Sequence, residues 1–368
     1  MGCVNRSANR SLFPRLACVA LLAGCAGSIG TPTPSASDDD TGGGDGDEDN
    51  IVDGALVSDG DGGLTGPGDG SIVLDPDGGT HPTGPDVDRT NPRFIDLTLK
   101  PKDLDNACTA HLYDQYAILD TRAPPLGKLV MFLPGYTNKP SDWHEHGRAL
   151  ATYGFHVLMP AYNNYWSGCS GSACDAKTRW KALTGEDVSS AIDTSRADSA
   201  EGRVVTMIKH LITADPGGDW GYYLNDDDSF RYEDVIIAGI SHGAASAALD
   251  GQQRHFWRVV MHSGGWKTWG GWLDGAPATP ASDQYGFAHT EDNAAGHTAA
   301  WSGFGVPGDP INVDGAAPPY GETNKLTTSA ASSYPHGATC AHNSFSPKSG
   351  DAWVYAPAWR YMYGVDEL

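Results

Sequence analysis

Ser241 lies between Gly239 and Gly243 in the sequence Gly-Ile-Ser-His-Gly. A serine in a G-x-S-x-G motif acts as a nucleophile when the motif joins a buried strand to a helix. The tight turn then presents the hydroxyl and aims the next N–H at a developing oxyanion. Here an apolar run at 235–238 precedes the motif, and a small-residue run at 244–249 follows it. This context predicts a serine nucleophile; the alternative is an ordinary glycine-rich turn.

A serine nucleophile needs a histidine as general base and an acid that orients this histidine. In the chain order that accompanies the motif in α/β proteins, the acid follows a later strand and the histidine lies on a loop near the end. Asp292 follows a strand-like run at 284–290, and we expect it to be the acid. Asp314 and Glu291 are the alternatives, and for each of the three the competing interpretation is a turn carboxylate at a strand end.

Two histidines come late enough to be the base. His336 is followed by small residues that would let its imidazole reach into a site, and we expect it to be the base. His342 is the alternative, since its chemistry is the same. Cys340 lies between the two, so a disulfide at this cysteine would hold the loop rigid.

Two backbone N–H groups are needed to stabilise the oxyanion of an acyl-transfer reaction. The first is expected from His242, directly after the serine. The second is expected from the loop that follows the apolar run at 129–133, with Tyr136 as the favoured donor and Gly135 next. Glycine at 135 would allow the backbone to approach a substrate closely.

The elements that must position these groups alternate between strands and helices, which predicts an α/β fold with a mostly parallel sheet flanked by helices. The stretch 162–190 is expected to be irregular. Helical spacing predicts helices at 141–153, at 197–213 and directly after the nucleophile, and a closing helix or turn at 358–362. Strands are expected at 94–99, 116–119, 129–133, 156–159, 234–238, 258–261, 285–288 and 311–313.

Residues 1–25 are expected to be a targeting segment rather than part of the fold. Three arginines precede a short apolar run, which is too short to span a bilayer. The segment ends in Leu-Ala-Gly-Cys, which resembles the bacterial lipobox and implies that Cys25 is lipidated. The protein is therefore expected to be exported and anchored by lipid to the bacterial cell envelope, and the alternative is an ordinary cleaved signal.

Residues 26–90 are expected to form a disordered linker, and residues 91–368 the folded domain. Positions 26–88 hold 15 Asp or Glu and no Lys or Arg, so this segment cannot bury enough apolar surface to fold. Of the net charge of −22, only −10 falls on residues 89–368. Nothing in this distribution suggests a nucleic-acid partner, and no motif calls for a cofactor or a metal.

Four cysteines remain in the expected domain, and four cysteines in an exported chain suggest two disulfides. Cys169 and Cys174 enclose four residues, so a local bond between them is the simplest pairing. Cys108 would then pair with Cys340, although the other two pairings stay open.

Trp266, Trp269 and Trp272 recur every three residues after position 263. We expect them to pack an insert onto the domain. The alternatives are an apolar lid near the nucleophile and a surface that stacks on sugar rings.

Taken together, these motifs resemble the α/β-hydrolase superfamily, and in particular its bacterial exported serine hydrolases of lipase or esterase type. The resemblance implies an esterase in which Ser241, Asp292 and His336 form a catalytic triad that acts through an acyl-enzyme on a small-molecule or lipid ester. Ile240 and His242 depart from the His and Gln that related enzymes often have in the motif, which changes the wall of the pocket. The resemblance covers residues 112–365 and rests on the stretches 132–135, 169–187, 239–243, 289–292, 336–337 and 357–361.

Two other classes of function are compatible with parts of this pattern. The first is a surface-tethered binding or adhesion protein on an inactive hydrolase scaffold, and the complete set of serine, acid and histidine argues against it. A metal-dependent hydrolase is a weaker alternative, because the sequence contains no H-E-x-x-H motif.

Overall fold

The structure is a computed structural model that describes residues 73–74, 80–81, 84–166, 169, 171–265 and 275–368. The expected signal segment with Cys25, almost all of the expected linker and the three tryptophans Trp266, Trp269 and Trp272 lie outside these residues. The described residues belong to one unit, Gly66–Leu368. Among them, no helix has both the length and the apolar composition needed to cross a membrane.

Strands and helices alternate along most of the described chain. The strands are β1 (Val73–Leu74), β2 (Thr80–His81), β3 (Phe94–Leu99), β4 (Gln115–Asp120), β5 (Leu129–Leu133), β6 (His156–Met159), β7 (Val235–Ile240), β8 (Arg258–His262), β9 (Gln284–His289), β10 (Ile311–Asn312), β11 (Lys325–Thr328), β12 (Lys348–Ser349) and β13 (Ala352–Trp353). The helices are α1 (Pro101–Leu104), α2 (His144–Ala151), α3 (Ser172–Thr184), α4 (Ala200–Ala214), α5 (His242–Gln253), α6 (Ala294–Gly303) and α7 (Ala356–Met362).

Nine strands form one sheet in the order β10-β11-β9-β8-β7-β5-β6-β4-β3. The strands from β10 to β6 in this order run parallel, whereas β4 pairs antiparallel with β6 and β3 pairs antiparallel with β4. The expected mostly parallel α/β sheet is therefore confirmed. Strand β7, which ends at the serine motif, lies at the centre of the sheet, where both of its neighbours are parallel strands.

Helices cover both faces of the sheet, because the central strands are apolar on both sides. In β5, Leu129, Met131 and Leu133 pack into one core and Val130 and Phe132 into the other. The first core is closed by α3, α4, α5 and α6, and the second by α2 and α7. Since the carboxyl ends of parallel strands meet at one edge, the loops after β5, β7, β8 and β9 are brought together there.

The secondary-structure prediction was wrong or incomplete at several places. Residues 172–184 form α3, although the stretch 162–190 was expected to be irregular. Helix α1, helix α6, strand β11 and the pair of β12 with β13 were not expected at all. Strands β1 and β2 pair within the stretch 26–90, which was expected to be a disordered linker. The other expected strands and helices are present, with ends that differ by a few residues from the expected bounds.

Candidate functional site

Ser241 occupies a strained turn between β7 and α5. Its φ is 57° and its ψ is −116°, a conformation that residues with a side chain rarely adopt. Both flanking glycines are required by space. A Cβ at Gly239 would lie 2.5 Å from the carbonyl carbon of Gly243, and a Cβ at Gly243 would lie 2.1 Å from the carbonyl oxygen of Leu133. The turn therefore has the geometry that presents a serine hydroxyl at a strand end.

The neighbouring strand end holds this turn in place. The N–H of Ser241 donates to the carbonyl of His262 at 2.8 Å, which extends the pairing of β7 with β8 by one residue. Gly264 approaches so closely that a Cβ there would lie 2.4 Å from the carbonyl oxygen of Ser241. The backbone around the serine is thus packed on the side of β8 as well as on the side of β5.

The loop after β5 approaches the serine from the other side. A Cβ at Gly135 would lie 2.8 Å from the Oδ1 of Asn138 and 3.4 Å from the Cβ of Ser241, so a larger residue at 135 would disturb the loop beside the serine. Asn164, a residue that the sequence analysis missed, fixes this loop by donating from Nδ2 to the carbonyls of Gly135 and Asn138, both at 2.7 Å. The N–H of Tyr136 donates to no acceptor among the described residues and stays available to an oxyanion.

His242 begins α5, so its N–H belongs to the first turn, where backbone donors lack intrahelical partners. Its imidazole packs edge-on against Trp166 with 4.3 Å between ring centroids, and it lies 5.8 Å from the ring of Tyr136. Burial and the nearby Arg179 charge lower the pKa of His242 well below 6.5. The side chain is therefore a neutral part of the pocket wall, while its backbone can serve the oxyanion.

Arg179 is a further residue that the sequence analysis missed. This buried guanidinium donates to the carbonyl of His242 at 2.8 Å and to the Oγ of Ser246 at 3.0 Å, and it forms an ion pair with Asp175. It thereby fixes the first turn of α5 against α3. Because α3 was not expected, nothing in the sequence pattern pointed to this contact.

The expected acid contacts the expected base. Asp292 lies in the turn after β9, and its Oδ2 accepts a hydrogen bond of 2.7 Å from the Nδ1 of His336. Burial acts to raise the pKa of Asp292, but its interactions with His297 and His336 outweigh burial and lower this pKa to about 2. An ionised carboxylate keeps the proton on Nδ1 of His336, which leaves Nε2 free to act as a base.

The alternative acids and the alternative base lie in other surroundings. Asp314 lies in the loop after β10 and accepts hydrogen bonds from Thr328 and Ser329 at the end of β11, so it ties these two strand ends together. Glu291 is exposed. His342 stacks on the ring of Phe345 at 3.7 Å between centroids, and its Nδ1 accepts the N–H of Ser344. Of the late histidines His336 and His342, therefore, His336 is the one that pairs with a carboxylate in the described residues.

The loop of His336 reaches the serine through two intermediate residues. Thr339 approaches Ser263 with 3.3 Å between hydroxyl oxygens, and Ser263 follows the residue whose carbonyl binds the N–H of Ser241. In the described part of the chain, no hydrogen bond joins the Oγ of Ser241 to the Nε2 of His336. Catalytic hydrogen bonds often tighten only when a substrate is bound.

One expected disulfide is present and the other is wrong. Cys169 and Cys174 are bonded, which ties the first turn of α3 to position 169 just before the helix. Cys108 and Cys340 are free and buried. They lie on opposite sides of the sheet, because Cys108 contacts the carbonyl of Ala197 just before α4, whereas Cys340 is part of the core under α2 and α7. Sequence spacing carries no information on which face of a sheet a cysteine joins.

A cluster of metal-ligating side chains lies in the second core. One ligand atom each from His146, His262 and Cys340 lie within 4.8 Å of one another. The Nδ1 of His146 accepts the backbone N–H of Ala341 at 3.1 Å, so the proton of this imidazole is on Nε2.

The proton on Nε2 makes His146 a donor to Tyr363, whose hydroxyl lies 3.3 Å away; this hydroxyl in turn lies 3.2 Å from the Nε2 of His262. Burial also raises the pKa of the Cys340 thiol well above its usual value, whereas a metal binds the thiolate. The cluster is thus arranged as a hydrogen-bonded chain and does not suit a metal ion.

No protein-family model matches this chain, and no curated protein is significantly similar to it in sequence. The assignment of a function therefore depends on the sequence motifs and on the geometry of the site.

Proposed function

We propose that this chain is a serine hydrolase of the α/β-hydrolase type that cleaves carboxylic esters through an acyl-enzyme. The observation that carries the proposal is the strained turn at Ser241, with φ at 57° between two glycines that no larger residue can replace. The hydrogen bond of 2.7 Å between Asp292 and His336 supports it, because a carboxylate bound to the Nδ1 of a histidine is the pairing that a triad requires.

In the proposed reaction, His336 takes the proton of Ser241 as the hydroxyl attacks the ester carbonyl, and then gives it to the leaving alcohol. Asp292 holds the imidazole in the required tautomer and stabilises the imidazolium. The N–H groups of Tyr136 and His242 bind the oxyanion. Water then repeats the sequence on the acyl-enzyme, which releases the acid and restores the serine.

A fluorophosphonate probe tests this proposal on the full-length protein. We expect the probe to label the wild type and the exposed control Ser282→Ala equally, and not to label Ser241→Ala. Labelling that survives in Ser241→Ala would place the reactive group elsewhere. A folded wild type that is not labelled would overturn the hydrolase proposal and favour the alternative, a tethered binding or adhesion protein on an inactive scaffold.

We also propose that the domain works outside the cytoplasm on a lipid anchor. The arginine-containing apolar segment at 1–25 and its Leu-Ala-Gly-Cys ending support this, as does the long acidic stretch before the domain. Expressed in bacteria, the full-length protein is expected to partition into a detergent phase, and Cys25→Ser to remain in the aqueous phase. Equal partitioning of the two proteins would contradict lipidation.

A further inference from the structure

Asp292 has two imidazole partners on a single oxygen. Its Oδ2 lies 2.7 Å from the Nδ1 of His336 and 3.4 Å from the Nε2 of His297. A triad needs only the first of these contacts, so the second requires its own explanation. His297 comes five residues after Asp292, in the first turn of α6, and it escaped the sequence analysis because α6 was not expected.

The contact between His297 and Asp292 is well shielded from solvent. The side chains of His297 and Asp292 are 14% and 18% exposed. An ion pair on the open surface contributes little, but at this exposure a donor to a carboxylate affects both its orientation and its charge. Consistent with this, the interaction with His297 is one of those that lower the pKa of Asp292 to about 2, against the effect of burial.

His297 is itself held in place by Trp301, one turn further along α6. The two rings are stacked with an interplanar angle of 21° and 6.2 Å between centroids. The indole is fully buried over Gly286, where a Cβ would lie 2.3 Å from it, and its Nε1 donates to the carbonyl of Gly264 at 2.7 Å. Gly264 is the residue that packs against Ser241, so α6 is tied to the serine turn and to the acid together.

We propose that His297 is a positioning residue for the acid of the triad. Its Nε2 holds the carboxylate of Asp292 so that Oδ2 faces His336 when no substrate is bound. The inference rests on the proposed function, since it assigns a role within the same site. His297 does not touch the reacting atoms and acts only through Asp292.

Two substitutions separate the donor from the ring. In His297→Phe, the ring that stacks on Trp301 is kept and the donor is lost. In His297→Gln, a side-chain donor is kept and the ring is lost. The matched control is His342→Gln, which removes a packed imidazole that contacts neither Asp292 nor His336.

We expect kcat for a simple ester to fall about tenfold in His297→Phe, the lower end for a hydrogen bond to a charged group because 3.4 Å is long. KM should stay within about twofold of the wild type, because substrate contacts are unchanged. His297→Gln should recover most of kcat. In proton NMR, the far-downfield resonance of the Nδ1–H of His336 should move in His297→Phe and return toward its wild-type position in His297→Gln.

Wild-type kcat together with an unmoved resonance in His297→Phe would overturn the proposal, as would a loss of kcat in His297→Gln as large as that in His297→Phe. If His297→Phe does not fold, His297→Gln decides alone, since a retained donor must retain kcat and the resonance. Failure of the proposed function has a different signature. In that case the wild type is not labelled by a fluorophosphonate, whereas the resonance of His336 still reports whether His297 orders Asp292.

Discussion

Two pairs of histidines in this molecule are each joined through one central side chain. In the site, His297 and His336 share the carboxylate of Asp292. In the second core, the rings of His146 and His262 share the hydroxyl of Tyr363. The first group is partly open to solvent, with His336 29% exposed, whereas His146 and His262 are completely buried.

The difference shows what decides whether an imidazole can carry a charge. Asp292 supplies a negative charge that can stabilise an imidazolium, which a general base must become during the reaction. Tyr363 supplies only a neutral hydroxyl, and burial lowers the pKa of His262 to about 3. The pair of histidines around Asp292 is thus suited to proton transfer, whereas the pair around Tyr363 is suited to structural support.

The largest effect is expected when the carboxylate of Asp292, which joins the two histidines of the site, loses its charge. Asp292→Asn keeps the shape but favours the wrong tautomer of His336, and we expect kcat to fall by roughly 10⁴-fold. Kinetics on a simple ester measures this, with Asp314→Asn as the control for loss of a structural carboxylate. A greater loss of activity in Asp314→Asn than in Asp292→Asn would show that the acid has been misassigned.

The two groups should also respond to acid in different ranges of pH. The buried His146 and His262, and His156 with a pKa of about 4, stay neutral in the fold, so the unfolded chain takes up protons first as the pH falls below 6.5. Stability is therefore lost as the pH falls, by about 1.4 kcal/mol for each pH unit and each histidine until its folded pKa is reached.

The lowered pKa of Asp292 also makes the free energy of unfolding decrease as the pH falls, but in a lower range of pH. Its stabilising contribution is complete above pH 3.8 and is lost as the pH falls toward 2. Denaturant unfolding at pH 7, 6 and 5 checks the histidine range. A free energy of unfolding that stays constant from pH 7 to 5 would mean that these histidines are not buried neutral groups.

Replacing Tyr363, which joins His146 and His262 in the second core, should lower stability and leave activity unchanged. Tyr363→Phe deprives His146 and His262 of their shared partner, and we expect the free energy of unfolding to fall by about 1–3 kcal/mol. The labelling of Ser241 should persist. Tyr361→Phe is the matched control, since its half-buried hydroxyl donates to a single carbonyl. Equal losses of unfolding free energy in the two variants would argue that the hydrogen bonds of Tyr363 with the two histidines contribute no more than an ordinary tyrosine hydrogen bond.

The smallest effect is expected from a histidine that belongs to neither group. His342 stacks on Phe345 and contacts no acid, so His342→Gln should change kcat by less than about twofold. A large loss of kcat without loss of folding would return His342 to consideration as the base.

The central part of the fold was accessible from sequence because it consists of strands that are apolar on both faces. The runs at 129–133 and 235–238 predict buried parallel strands, and both are found. Strand β11 escaped because Lys325, Thr327 and Thr328 are polar, although all three are buried; Lys325 places its Nζ on the Oγ of Ser302. Helix α6 escaped because its first residues are small and show no helical period.

The candidate site was accessible from sequence because Ser241 and Asp292 each follow a predicted strand and His336 lies late in the chain. Ser241, Asp292 and His336 were expected from their order along the chain, and the structure brings the last two into contact. Their catalytic roles remain predictions. Asn164, Arg179 and His297 support the site through contacts between distant segments, and a single sequence contains no pattern that reports such contacts. The wrong pairing of Cys108 with Cys340 has the same origin.

Ser241 is held at a φ of 57°, where glycine would rest without strain. Keeping a side chain in such a conformation costs of the order of 1–3 kcal/mol. If the hydroxyl had no function, replacing this serine with glycine would relieve the strain and stabilise the fold. Selection for stability would then favour glycine at this position. We therefore expect related proteins to retain serine at this position only where its hydroxyl has a function. Glycine at this position in a relative would indicate that this function has been lost.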